Sequence, residues 1–122
     1  MILANTDIHR AIDDGQLIIS PEPYPRRKSP GVECPYQTSS VDLHLGGEIS
    51  YFKEGLAISL DLRRGSFADI FGPNSERREI TDEQPYILQP GKFVLGKTME
   101  RVELPVIDGK QTLAARVEGR SS

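Results

Sequence analysis

The order of apolar and polar positions along the 122-residue chain predicts one short helix at the front and many short strands behind it. Three apolar residues recur at helical spacing and form a single stripe: Ile8, Ala11 and Ile12. This stripe predicts a helix over Asn5 to Asp14, capped by Asn5 or Thr6, whose side-chain oxygens can accept an orphan backbone N–H. Gly15 is expected to end the helix, since glycine readily adopts the left-handed conformation. Leu17 to Ile19 then predict a brief strand.

Further along the chain, apolar and polar residues alternate with the two-residue period of half-buried strands. The predicted strands are Val41 to Leu45, Leu56 to Leu62, Tyr86 to Leu88, Phe93 to Leu95, Val102 to Leu104, and Leu113 to Val117. The predicted turns and loops between them are Gly46-Gly47, Gly72-Pro73-Asn74, Gln89 to Lys92, and Asp108-Gly109. Many short strands at close spacing behind one helix predict a mainly β fold, a sandwich or a barrel, in a single domain over residues 1–122.

A proline-rich segment separates the helix from most of the strands. Its prolines interrupt any regular element: Pro21, Pro23, Pro25, Pro30 and Pro35. We interpret the segment as an extended arm or loop of the same domain, and a ligand for an aromatic groove of another protein is the alternative. Cys34, the single cysteine, lies here and is interpreted as an ordinary loop residue. One cysteine excludes an intrachain disulfide and a cysteine-rich zinc site.

Composition and charge narrow the classes of partner. The mean hydropathy is −0.40, and no apolar run approaches the roughly 20 residues that span a bilayer, so we expect a cytoplasmic protein without membrane contact. A net charge of −3 and an isoelectric point near 5.4 argue against a protein that binds a nucleic-acid polymer. The short basic clusters have acids nearby and are interpreted as solvated surface: Arg26 to Lys28, Arg63-Arg64 and Arg77-Arg78. The negative net charge does not argue against a small anionic ligand, which needs only two or three well-placed donors.

Three segments stand out. Asp42 lies on the polar face of the first of them, Ser39 to Gly46, where a solvated acid is the ordinary interpretation. The second, Leu88 to Leu95 followed by Thr98 to Pro105, is strand, turn and strand and carries no evident chemistry. The third is Arg116 to Ser122, in which Arg120 offers a forked, permanently charged donor for phosphate oxygens. The two serines that follow add hydroxyls and backbone N–H groups that can form an anion-binding nest, although alone they are equally a polar tail.

Taken in this order, the three segments resemble the dCTP deaminase family of the dUTPase-like superfamily. The first 19 residues are similar to that family's opening, and Val41 to Gly46 resembles its first motif, in which an arginine commonly stands at the position of His44. Pro90 to Pro105 is similar to its middle strands, and Glu118 to Ser122 to the beginning of its phosphate-binding motif. The likeness covers nearly the whole chain and is weakest over Pro21 to Thr38 and Ser66 to Glu83.

The resemblance implies a dUTPase-like distorted β-barrel or jelly-roll (a β-clip), with a short N-terminal helix and incomplete at the C-terminus. It also implies a homotrimer with active sites between subunits. The implied activity converts dCTP and water to dUTP and ammonia, which feeds the synthesis of dUMP and dTTP. Mg²⁺ accompanies the triphosphate and no zinc is used, in agreement with the missing Pro-Cys-x-x-Cys pattern of zinc deaminases. dCTP and dUTP are the expected ligands, and dTTP is a candidate feedback ligand.

The resemblance also implies roles for four residues. Ser121 is the candidate catalytic residue, helping to hold the attacking water or the nucleotide. Arg120, Ser121 and Ser122 are the candidate nucleotide and phosphate ligands. Asp42 either orders the water shell of the metal and phosphates or braces its strand. No residue is expected to bind a metal directly.

The general-base glutamate of the family lies downstream of the Arg-Ser-Ser motif, which rules out the upstream glutamates: Glu100, Glu103 and Glu118. The chain is therefore expected to be the N-terminal part of a deaminase, inactive alone, and to need a partner, self-association or strand exchange for stability. The alternatives are a dUTP diphosphatase, a bifunctional deaminase and diphosphatase, and a catalytically silent nucleotide-binding or oligomerisation module. The motif Glu-Gly-Arg-Ser-Ser favours the deaminase, because plain dUTPases more often have Pro-Arg-Ser followed by glycine.

Overall fold

A computed structural model describes residues 1–55, 63 and 65–120. In chain order the elements are α1 (Asn5–Asp13), β1 (Ile18–Ser20), β2 (Leu45–Phe52), α2 (Phe67–Phe71), β3 (Ser75–Glu79), β4 (Val94–Thr98), β5 (Arg101–Glu103), β6 (Val106–Ile107) and β7 (Lys110–Gln111), with a 3₁₀ turn at Gly72–Asn74. The strand predicted at Leu56 to Leu62 lies outside the described residues. The described chain is mainly β with a short N-terminal helix and antiparallel sheets, as predicted.

The chain divides into two compact units. The first comprises residues 1–44 with 100–122, and the second comprises residues 45–99. None of the described helices is both long enough and apolar enough to cross a membrane.

Helix α1 opens the first unit and ends as predicted, but its cap differs from the prediction. Asn5 and Thr6 lie inside the helix, and the cap position is Ala4, whose backbone N–H donates to the Asp7 carboxylate at 3.4 Å. The helix begins one residue earlier than a side-chain cap would require, because the negative charge of Asp7 satisfies an N-terminal N–H from within the first turn. Gly15 follows the helix with φ of 72°, the left-handed conformation expected there.

The proline-rich segment builds the core of the first unit. Ile8 of α1 packs with two buried residues of this segment, Cys34 and Tyr36. The Tyr36 hydroxyl donates to the carbonyl of Pro23 at 3.0 Å, so the one polar atom of this fully buried ring has a partner. Four partly buried apolar residues surround the cluster: Leu3, Ile12, Leu17 and Val41. Cys34 lies in a loop, as predicted, but this loop packs against the helix and buries the Cys34 side chain in the core of the first unit.

The remaining strands of the first unit form two short antiparallel pairs. Strand β1 pairs with β5, with Ile19 opposite Val102. Strands β6 and β7 form a hairpin, and its turn residues Asp108 and Gly109 both have positive φ, of 52° and 72°, as the sequence predicted. The strand predicted over Leu113 to Val117 is wrong, because residues 112–120 form no ladder with any described strand, and strand structure depends on such pairing.

The second unit contains an antiparallel sheet in the order β3-β2-β4. The prediction of a strand at Val41 to Leu45 closed by a Gly46-Gly47 turn is wrong, because β2 begins at Leu45 and runs through both glycines. The physical reason is close packing: a Cβ on Gly46 would lie 2.9 Å from the backbone oxygen of Lys97. The glycine thus lets two backbones approach where the pairing register of β2 and β4 shifts.

Aromatic residues make up much of the apolar packing of the second unit. Four phenylalanine rings contact one another in edge-to-face, tilted and stacked pairs: Phe52, Phe67, Phe71 and Phe93. The turn predicted at Gln89 to Lys92 is confirmed by the N–H of Lys92 donating to the carbonyl of Gln89 at 3.1 Å. The strand predicted at Tyr86 to Leu88 is wrong, because this segment is held by the contact of Tyr86 with the Tyr51 ring and not by a ladder.

Candidate functional site

A tight loop in the first unit places the first candidate residue, Asp42. The Asp42 N–H donates to the carbonyl of Pro35 at 2.8 Å, and the Gln37 N–H donates to the carbonyl of Ser40 at 2.9 Å. Tyr36 and Val41 form an isolated antiparallel bridge between these two bonds. Because Tyr36 is anchored in the core, the loop holds the Asp42 backbone close to a rigid part of the unit.

Arg120 meets Asp42 across 78 residues of sequence. Its Nη1 donates to Oδ2 of Asp42 at 2.7 Å, a charge-assisted hydrogen bond. The Asp42 side chain is 25% exposed and that of Arg120 is 62% exposed, so the pair lies at the surface and within reach of a ligand. The structure therefore brings together two of the residues that the sequence singled out. Ser121 and Ser122 lie outside the described residues.

Two further side chains surround this ion pair. Nε2 of Gln37 donates to the same Oδ2 of Asp42 at 2.9 Å. Oε1 of Glu33 lies 3.9 Å from Nη1 of Arg120. Both carboxylates face Nη1, and Nε and Nη2 of Arg120 pair with no carboxylate among the described residues. That edge of the guanidinium is available for a bidentate contact with a phosphate. Sequence reasoning missed Gln37, because a glutamine in a loop shows no pattern that marks it.

A second polar contact in the first unit joins His44 to Glu100. Oε1 of Glu100 lies 2.6 Å from Nδ1 of His44, and the His44 backbone N–H donates to Oε2 at 3.0 Å. The Glu100 side chain is only 3% exposed. Burial raises the pKa of this carboxyl, but the hydrogen bonds from the His44 ring and backbone outweigh it, and the pKa of Glu100 is lowered. The residue that departs from the family's usual arginine thus partners a buried carboxylate.

The three glutamates that the sequence ruled out as the general base each contact a basic side chain. Glu100 pairs with His44, Glu103 accepts from Arg101 at 2.6 Å, and Glu118 pairs with Arg116. Glu100 is also closed off from solvent. A general base must reach the proton it removes, so the geometry of Glu100 does not fit that task.

Metal ligands are not clustered in the part of the chain that the structure describes. No group of three or more His, Cys, Asp and Glu side chains there is placed to hold a metal ion. Within that part, Oδ1 of Asp42 accepts no hydrogen bond from a protein group, while Oδ2 accepts two. One free carboxylate oxygen at the surface fits an outer-sphere contact to a hydrated cation, not a protein cage.

A separate cavity of about 510 Å³ lies in the second unit. The Tyr51 and Tyr86 rings lie 5.4 Å apart on its wall, and the Arg78 guanidinium lies 5.9 Å from the centre of the Tyr86 ring. Lys53 and Lys92 also line it. Neither Asp42 nor Arg120 lines this cavity.

The sequence of the chain is similar to those of known proteins. A family model described as dCTP deaminase-like matches residues 2–122. A protein of Dictyoglomus thermophilum named "dCTP deaminase, dUMP-forming" is 40% identical over 123 residues, covering 100% of this chain and 55% of that protein. One of Dictyoglomus turgidum with the same name is 39% identical with the same coverage. A "dCTP deaminase" of Natronomonas pharaonis is 40% identical over 130 residues, again with 100% and 55% covered. The chain thus spans about half the length of the curated relatives it matches.

Proposed function

The chain belongs to the dCTP deaminase-like family, and from that premise we propose that it is part of a dCTP deaminase of pyrimidine deoxynucleotide metabolism. The enzyme would convert dCTP and water to dUTP and ammonia. The observation that carries the proposal is the bond from Arg120 to Asp42. It joins the first and the last of the three sequence segments that resemble the family, at an exposed cationic group suited to phosphate.

Arg120 is proposed to bind the triphosphate through Nε and Nη2, while Nη1 stays on Asp42. A planar fork of N–H donors matches two phosphate oxygens. Ser122 is proposed as a second phosphate ligand. Ser121 is proposed as both a nucleotide ligand and the residue that holds the attacking water.

The proposed reaction is addition of water to C4 of the cytosine ring. The water loses a proton to a carboxylate base as its oxygen bonds to C4, and the amino group at C4 then leaves as ammonia after receiving a proton. This carboxylate is proposed to be the family's general-base glutamate, which the resemblance implies lies downstream of the Arg-Ser-Ser motif. We therefore assign no general base among the described residues, in keeping with the burial of Glu100 and its pairing with His44.

Mg²⁺ is proposed to accompany the nucleotide, where it neutralises part of the triphosphate charge. Oδ1 of Asp42 would accept a hydrogen bond from a water of its hydration shell, since Oδ2 already accepts from Gln37 and Arg120. Removal of the metal with a chelator should raise the KM for dCTP, and restoring Mg²⁺ should reverse the effect. A KM that ignores the chelator would contradict this role.

Product analysis tests the proposed activity. The deaminase of which this chain is proposed to be a part is incubated with dCTP and Mg²⁺, and ammonia and dUTP are measured by a coupled assay and by chromatography. Release of both in equal amounts supports the deaminase. Binding of dCTP without turnover would instead support a silent nucleotide-binding module, and neither binding nor turnover would refute the proposal. Added dTTP should lower the rate if it is a feedback ligand.

The names of two relatives favour a bifunctional enzyme as the second candidate. Both Dictyoglomus proteins are named as dUMP-forming, whereas the Natronomonas pharaonis protein, at similar identity, is not. The same incubation separates the two candidates. A bifunctional enzyme yields dUMP and diphosphate along with ammonia, and a simple deaminase stops at dUTP. Formation of dUMP from dUTP without any ammonia from dCTP would indicate a diphosphatase.

A further inference from the structure

Gln37 lies directly behind the ion pair of Asp42 and Arg120. Its Nε2 donates to Oδ2 of Asp42 at 2.9 Å and to the carbonyl of Cys34 at 3.1 Å. Cys34 is buried in the core of the first unit, so the carboxamide of Gln37 is tied to a rigid point. Oδ2 of Asp42 then accepts from Gln37 on one side and from Nη1 of Arg120 on the other.

We propose that Gln37, acting through Asp42, is a positioning residue that aims the Arg120 guanidinium at the phosphates of the nucleotide. The proposal rests on the proposed function for its ligand. A long, exposed arginine side chain loses rotamer freedom when it binds, and ordering it beforehand reduces that loss. The chain of contacts from the Cys34 carbonyl through Gln37 and Asp42 leaves Nε and Nη2 of Arg120 for the ligand.

Positioning makes predictions that differ from those of two other roles for Asp42. If Asp42 only lowered the positive potential at Arg120, removing its charge would strengthen phosphate binding. If Asp42 only ordered metal-bound water, replacing it would weaken dCTP binding only when Mg²⁺ is present, and equally with or without Arg120. Glu33 is a matched control, because it carries the same charge 3.9 Å from the same Nη1, beyond hydrogen-bond distance, with a side chain that is 86% exposed.

The test is dCTP binding by calorimetry, with and without Mg²⁺, for the native protein and for Gln37→Ala, Asp42→Asn and Glu33→Gln. Each variant is also made together with Arg120→Ala. We expect Gln37→Ala and Asp42→Asn each to weaken binding by about tenfold, the effect of losing one charge-assisted contact. Glu33→Gln should leave binding unchanged or slightly stronger. With Arg120→Ala present and Mg²⁺ absent, neither Gln37→Ala nor Asp42→Asn should weaken binding further.

Two results in this experiment overturn the proposal. One is that Asp42→Asn binds dCTP more tightly than the native protein. The other is that Gln37→Ala lowers the affinity for dCTP as much with Arg120→Ala present as without it. A merely structural role would lower the thermal midpoint and act with or without Arg120, so thermal midpoints are measured for every variant.

Nitrogen NMR of the Arg120 side chain separates this proposal from the proposed function. Rotation about the Nε–Cζ bond should be hindered in the native protein and faster in Gln37→Ala and Asp42→Asn. If the native protein binds no dCTP, the proposed function fails. The rotation rate alone then decides whether Gln37 and Asp42 hold the Arg120 guanidinium. Equal rotation rates in all three proteins overturn the positioning role whatever the binding data show.

Discussion

At the residue scale, Arg120 is the central group of the proposed phosphate site, because its Nη1 is held by Asp42 while its side chain is 62% exposed. Arg120→Ala should weaken dCTP binding by about ten- to a hundredfold, the loss of hydrogen bonds to a charged group worth about 1.5–3 kcal/mol. Calorimetry measures the affinity. Arg116→Ala is the control, since Arg116 is exposed in the same segment and pairs with Glu118. Equal losses for both variants would show a general charge effect instead.

The lowered pKa of Glu100 should make the stability of the fold depend on pH. Its pKa in the folded chain is lowered below the ordinary value of 4.5, so the ionised form stabilises the fold. That contribution is present above the pKa of the unfolded chain and is lost as the pH falls through the lower, folded pKa. Urea unfolding of the native protein should therefore show stability declining below about pH 4.5, and Glu100→Gln should flatten that decline.

The same variant should be less stable than the native protein at pH 7. Replacing the buried carboxylate removes its charge-assisted bonds to His44, at a cost of about 1.5–3 kcal/mol. Glu103→Gln is the control, because that carboxylate is half-buried and pairs with the exposed Arg101. A Glu100→Gln protein with native stability at both pH values would contradict the description of the buried pair.

The residue types of the site could be predicted from sequence, but their contacts could not. Asp42 and Arg120 stood out because each lies in a segment that resembles a family motif. Their pairing spans 78 residues and depends on the fold of the first unit. Gln37 and the pairing of His44 with Glu100 were not predicted, since neither contact leaves a local pattern in the chain.

At the element scale, strand β2 depends on a glycine where it passes β4. A Cβ at Gly46 would lie 2.9 Å from a backbone oxygen, whereas one at Gly47 would lie no closer than 3.9 Å to any atom outside its immediate neighbours. Gly46→Ala should therefore cost about 1–3 kcal/mol through overpacking. Gly47→Ala should leave stability unchanged or slightly raised. Thermal unfolding of the two variants makes a matched comparison, and equal midpoints would contradict the described contact.

The elements that sequence predicted well are those set by local chemistry. Helix α1, its end at Gly15, and the turns at Gln89 to Lys92 and at Asp108-Gly109 follow from periodicity and from backbone conformations that few residues adopt. The errors lie where tertiary contacts decide. The Gly46-Gly47 pair is typical of a turn, and only the contact with strand β4 shows that position 46 needs a glycine inside a strand. The alternation over Leu113 to Val117 is a strand pattern without a described partner strand.

At the scale of the whole molecule, the resemblance predicts a homotrimer. Apolar side chains are exposed in each unit considered alone, among them Val106 and Val117 in the first and Ile87 and Leu88 in the second. Burying such side chains against another chain would be favourable, at roughly 25 cal/mol per Å² of apolar surface. Light scattering after size exclusion should give a mass of three chains across a dilution series. A well-folded, monodisperse monomer would contradict this prediction.

Because the single cysteine, Cys34, is buried, the rate at which a thiol reagent modifies it measures how often the first unit opens. Cys34 has its Sγ 3.3 Å from the carbonyl of Pro25 and lies among core residues, so a thiol reagent can modify it only when the first unit opens. Labelling under native conditions should therefore be far slower than in urea, and its rate reports the opening equilibrium. If Cys34 in the native protein reacted as fast as a fully exposed thiol, its burial would be contradicted.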